Sequence, residues 1–128
     1  MSKKIVWFSR HRILASQKKE LKRLFGDEVA IIPDPNPFDG AEDVVSRFRA
    51  ADGDEMVIVA PLSVIGRVCE LGIKPLWAEM QVCRPKESEV ASRGRYSRIR
   101  YYRFLGFKRI KRVALEFEEI EGGKQNET

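Results

Sequence analysis

The first apolar run of the chain ends in Ser9-Arg10-His11-Arg12, which holds its only histidine. An imidazole exchanges protons near neutral pH, and a guanidinium grips a phosphate through two parallel hydrogen bonds. Side by side at a strand end, these types suit acid–base work on a phosphate ester. His11 would move the proton, Arg10 or Arg12 would hold the phosphate, and Ser9 would donate its hydroxyl. The bland alternative is that His11 only caps or packs at a loop.

A second concentration of chemistry lies between Arg84 and Arg112. Eleven basic residues face two acidic ones there, a net +9 in a chain of +5, so the remainder stands at −4. A concentrated basic surface is the footprint of a nucleotide or nucleic-acid partner, because each phosphate neutralised releases bound counterions. Within the segment, Arg93, Arg95, Arg98, Arg100 and Arg103 interleave with Tyr96, Tyr101, Tyr102 and Phe104. Arginines with aromatic rings suit bases that stack and phosphates that pair. The competing reading is a strand with a solvated basic face and aromatics in the core.

These groups need a scaffold, and the hydrophobic pattern predicts one. Ile5 to Phe8 and Met56 to Ala60 are continuous apolar runs, which fits strands buried on both faces, and Val29 to Ile32 is a further strand that breaks at Pro33. Ser16 is a helix N-cap, Leu21, Leu24 and Phe25 follow at helical spacing, and Gly26 stops the helix. Asp39-Gly40-Ala41-Glu42 resembles a capping box, and Ala41, Val44, Val45 and Phe48 mark a second amphipathic helix. Pro61 starts a third helix, with Leu62, Ile65 and Cys69 on one face and its end at Gly72. Ile73 to Ala78 reads as a fourth strand. Arg84 to Arg95 reads as a loop. Arg98 to Phe104 and Lys108 to Ile120 read as two strands around Leu105-Gly106, the latter half-buried through Val113, Leu115 and Phe117.

This alternation predicts a Rossmann-like α/β fold: a mostly parallel sheet, helices on both faces, and a C-terminal antiparallel strand or hairpin. At 128 residues and 43% apolar, the chain is sized for one domain over 1–121 with a frayed tail over 122–128. Ligands of such folds bind beyond the carboxyl ends of the strands, where strand order reverses. Ser9 to Arg12, Pro61-Leu62-Ser63 and Glu79-Met80 all follow strands and would reach that edge. With strand order 2-1-3-4, His11 and Ser63 would flank one crevice. Ser63 would otherwise be a plain helix cap, and Glu79 a plain partner for an arginine.

Several functions are excluded. Histidine phosphatases need Gly after the first histidine and a second histidine; Arg12 takes the first place and the second does not exist. Neither a P-loop nor a dinucleotide-binding glycine motif is present. Cys69 and Cys83 lack metal-type spacing, so no metal and no cofactor is expected. No apolar run approaches the roughly 20 residues that span a bilayer. The first four residues lead into too short an apolar stretch for a signal peptide. A cytoplasmic protein without a membrane partner is expected.

Val6-Trp7-Phe8-Ser9-Arg10-His11, followed later by Val57-Ile58-Val59-Ala60-Pro61-Leu62 and a helix from Val64 to Gly72, resembles the small stand-alone CRISPR-associated CARF-like proteins. The resemblance covers roughly the first 80 residues; the Arg84 to Arg103 segment departs from it. It implies a compact Rossmann-like fold that binds cyclic oligoadenylate, either cleaving it as a metal-independent ring nuclease or sequestering it. Arg10 would then be the phosphate clamp, His11 the acid or base, and Ser9 and Ser63 binders of phosphate or ribose. Arg12, Pro61, Leu62, Glu79, Arg93, Arg95 and Arg98 would complete the ligand site. A ligand with two-fold symmetry favours a homodimer. The remaining alternative is a basic accessory protein for long nucleic acid, working through the arginine-rich strands.

Overall fold

In the computed structural model, which describes residues 2–93 and 98–122, the chain is mixed α/β. The elements are β1 (Lys4–Phe8), α1 (Ala15–Phe25), β2 (Ala30–Pro33), α2 (Ala41–Ala50), β3 (Glu55–Ile58), α3 (Leu62–Glu70), β4 (Leu76–Cys83), β5 (Val90–Arg93) and β6 (Ile99–Arg109), with a short 3-10 turn at Pro85–Glu87. All six strands share one sheet in the order β2-β1-β3-β4-β6-β5. The first four are parallel, and β6 is antiparallel to both β4 and β5. Where an open Rossmann-like sheet was expected, the sheet curls into a half-barrel. Arg95 and residues 123–128 of the expected tail lie outside the described residues.

The runs from Ile5 and from Met56 form the buried strands β1 and β3 because both sheet faces are covered there, whereas β2 at the sheet edge is only half-buried or exposed. Val6, Phe8, Met56 and Ile58 pack under α2 and α3. Ile5, Trp7, Val57 and Leu76 pack with Leu21 of α1 on the other face. Each fully buried large side chain of this kind is worth about 1.5–3 kcal/mol. Ala41, Val44, Val45 and Phe48 all turn inward from α2, as their spacing predicts. Glu55 is buried at the amino end of β3 and receives Arg109 from the end of β6 through two bonds of 2.8 and 3.1 Å. This pair clamps the far end of β6 across β4.

Helix starts differ from the predicted caps. Leu14, not Ser16, precedes α1, and its N–H donates to Gln17 Oε1 at 2.9 Å. Ser16 instead donates to Glu89. At α2 the cap is Gly40, and Asp43, not Glu42, reaches back to accept the Asp39 N–H at 3.0 Å. α1 thus uses only the returning half of a capping box, while at α2 the bond reaches one residue further back, to Asp39 before the cap. Leu24 and Leu62, expected on inner helix faces, are 41% and 56% exposed.

The C-terminal third departs most from expectation. β4 starts at Leu76, three residues late, and runs on to Cys83. The expected loop over Arg84 to Arg95 contains β5. The two expected strands around Leu105-Gly106 are one strand of 11 residues. Leu105 is absorbed as a bulge, since Glu79 pairs with Gly106 while Met80 pairs with Phe104. The half-buried strand expected through Val113, Leu115 and Phe117 is not formed: residues 110–122 have no regular structure. Val113 packs on the α2–α3 side of the core, while Leu115 and Phe117 are 80% and 89% exposed.

Candidate functional site

A cleft of about 470 Å³ lies at the carboxyl rim of the parallel strands. Its origin is a mismatch of strand lengths. β3 stops at Ile58, whereas β4 continues past Ala78 to Cys83, paired there only with β6. The curl of β4, β6 and β5 then walls the gap above the end of β3. Glu89 holds this wall in place: its carboxylate takes the Ser16 hydroxyl of α1 and, at 2.7 Å, the Phe104 N–H beside the bulge. The cleft thus sits between β1 and β3, where strand order reverses.

The loops after β1 and β3 leave from the same rim, since Val59 N–H donates to Phe8 O at 3.1 Å. Ser9, His11 and Arg12 line the cleft from one side, and Val59 and Ala60 from the other. Ser9 Oγ accepts the His11 N–H at 3.1 Å, a tight turn that sets the imidazole's backbone and leaves the Ser9 O–H free to donate. Trp7 Nε1 donates to His11 O at 3.3 Å, pinning the loop to the core. The side chains of Arg10, His11 and Arg12 are exposed.

Arg10 stands apart from the cleft. It lines two smaller hollows, of about 370 and 300 Å³, toward the proline loop after β2. Arg47 organises that loop by donating to Asn36 O at 3.2 Å and Pro37 O at 2.6 Å while paired with Asp43 at 2.9 Å. Pro61, Leu62 and Ser63 begin α3, just beyond the lining residues Val59 and Ala60, and are exposed. Glu79 is not at a strand end but inside β4, where Lys108 holds it at 3.2 Å; Met80, beside it, lines the cleft. Arg93 alternates with the lining residue Ser92 and so leaves from the other face of β5. Arg98 precedes β6 and is exposed.

Of the interior of the cleft, only Met80 and Tyr102 were among the residues the sequence singled out. Gln17, Trp77, Val90, Ser92 and Tyr102 line it together with Trp7 and Met80. Arg100 is paired with Ser92 and, two residues from Tyr102, shares its face of β6. Trp7 meets Phe107 edge-on at 6.2 Å, and Phe107 meets Phe104 at 4.9 Å, so an aromatic row backs this wall. The site therefore has an apolar, aromatic interior and a cationic rim with one imidazole. Among the described residues, no group of three or more His, Cys, Asp or Glu side chains could hold a metal ion, and no helix is long and apolar enough to cross a membrane. No protein family, curated protein or solved structure matches the chain.

Proposed function

We propose that the chain is a metal-independent ring nuclease acting on cyclic oligoadenylate, with cyclic tetra-adenylate as the first substrate to test. The observation that carries this reading is the convergence of Ser9, His11 and Arg12 with the Val59-Ala60 turn on one aromatic cleft. A nucleotide has the matching polarity, with a flat apolar base and an anionic phosphate. The parallel order β2-β1-β3-β4 with helices on both faces supports a Rossmann-like core with its ligand at the strand-order reversal. The ligand is a messenger of type III CRISPR defence, which places the protein in the cytoplasm.

The chemistry needs no cofactor. A ribose 2′-oxygen loses its proton to His11 and attacks the adjacent phosphorus; the P–O5′ bond breaks, the leaving oxygen takes a proton from water, and the imidazolium returns its proton to solvent. The products are a 2′,3′-cyclic phosphate end and a 5′-hydroxyl end. Arg12 from the rim of the cleft and Arg10 from the hollows beside it neutralise the phosphoryl oxygens, and Ser9 donates to one of them. Two copies around a two-fold axis would present these groups twice to a symmetric ring.

Incubating the protein with cyclic tetra-adenylate and a chelator tests this. Linear products ending in a cyclic phosphate are expected, and His11→Ala should slow their formation by about 10²-fold or more while binding persists. A ring that is bound tightly yet intact after many hours identifies a sequestering protein instead. A ring that is not bound at all removes the proposal.

A second reading rests on the outer strands. Arg84, Lys86, Arg93, Arg98 and Arg100 are exposed and have no acidic partner among the described residues. These cations, carried on both faces of the outer strands, suit the backbone of a longer nucleic acid. It is favoured if Arg98→Ala with Arg100→Ala abolishes binding to ordinary strands while His11→Ala changes nothing.

A further inference from the structure

Gln17 carries the least satisfied buried polar group of the cleft. Its side chain is on the inner face of α1, and the residue is 5% exposed. Its Oε1 accepts the Leu14 N–H at 2.9 Å. That bond decides which end of the amide is oxygen, because a backbone N–H can only donate. The other end, Nε2, therefore brings two N–H donors. Among the described residues its partner is Met80 Sδ at 3.8 Å, a thioether and a weak acceptor. Buried donors are nearly always paired, and a thioether satisfies this pair of N–H groups only weakly, which leaves Nε2 able to serve a stronger acceptor that enters the cleft.

Gln17 also sits among flat, apolar neighbours. Trp7, Met80, Val90 and Tyr102 line the same cleft. His11 and Arg12 stand at its rim, and Gln17 Nε2 is a buried donor inside it. The volume of about 470 Å³ falls within the range of small-ligand sites. We infer that the interior is a nucleobase slot in which Gln17 Nε2 donates to a ring nitrogen of adenine while the phosphate stays at the His11–Arg12 rim. This rests on the proposed ligand and names the residue that reads its base. Gln17 is a specificity residue here, not a catalytic one.

Both tryptophans of the chain, Trp7 and Trp77, line the cleft, so their emission reports its occupancy. Adenosine 5′-monophosphate titrated into the full chain should change that emission saturably, and ribose 5-phosphate, which lacks the base, should not. Gln17→Glu keeps an oxygen for Leu14 N–H but removes the donor. It should retain the wild-type circular dichroism spectrum and bind the nucleotide at least tenfold more weakly. A ligand-side test needs no variant: among the 1-, 3- and 7-deaza analogues, the one lacking the recognised nitrogen should bind at least tenfold more weakly than its parent. The inference is overturned by no emission change, by an equal response to ribose 5-phosphate, by undiminished affinity in a folded Gln17→Glu, or by equal affinity for all three analogues. Nucleotide binding that depends on Gln17 without ring cleavage would overturn the nuclease reading alone. Ring cleavage and binding untouched by Gln17→Glu would overturn the slot alone.

Discussion

The backbone of His11, the proposed proton carrier, is held twice, by Ser9 Oγ and by the Trp7 indole. The sequence pointed to it through its place after a buried strand and between two arginines. Gln17 offered no such signal, since a glutamine in a helix is ordinarily solvated and its burial depends on Met80, far along the chain. Asp43 shows a residue whose charge is put to structural use. It accepts the Asp39 N–H at 3.0 Å and pairs with Arg47 at 2.9 Å. These bonds, the backbone one foremost, hold its carboxyl below the usual carboxylate range. A folded-state pKa below the unfolded one stabilises the protein above the unfolded value of about 3.9 and loses that contribution as pH falls through the folded value. Asp43→Asn should therefore lower the melting temperature at neutral pH and flatten its fall in acid. Melts at about pH 7 and pH 2.5 read both effects; equal acid sensitivity in the variant would disprove the assignment.

Two elements carry tight constraints that can be tested. Gly53, in the turn before β3, lies where an added Cβ would sit 2.5 Å from the Phe48 ring and 2.8 Å from Val6. Both neighbours are buried core side chains with little room to yield. Gly53→Ala should cost about 1–3 kcal/mol, measured by denaturant unfolding. At the same end of the sheet, Arg109→Ala leaves the buried Glu55 with only Lys3, 3.5 Å away. A loss of about 2 kcal/mol is expected, the usual scale for a hydrogen bond to a charged group. Lys3→Ala, by contrast, should change stability little, because that contact is longer and half-exposed. The pair also explains why β6 runs unbroken: its far end is clamped by Arg109 and its bulge is capped by Glu89. Neither partner is local in sequence, so Leu105-Gly106 looked like a turn.

For the molecule as a whole, the concentrated positive charge is only partly neutralised. Arg103, Lys108 and Arg109 meet Glu87, Glu79 and Glu55. Arg100 remains on the face that looks into the cleft, and Arg12 stands at its rim. An anionic ring should therefore feel an attractive field that salt weakens. Cyclic tetra-adenylate at about 100 times its Kd should add roughly 2.7 kcal/mol to stability, seen as a raised melting temperature. The increment should shrink at high salt at fixed ligand concentration. An increment indifferent to salt would mean that the rim arginines do not touch phosphate.

The sequence by itself determined the parallel half of the sheet, the inward stripe of α2 and the chemistry at the end of β1. Those features depend on burial and spacing within a few residues, which composition and period record directly. Tertiary structure alone decided where β4 ends, whether Leu105-Gly106 turns, and that Val113 to Phe117 forms no strand. Strand pairing is settled by a distant partner: alternating apolar residues make a strand only where another edge accepts their hydrogen bonds. The cleft itself follows from that rule, because it opens where β4 keeps a partner in β6 after β3 has run out.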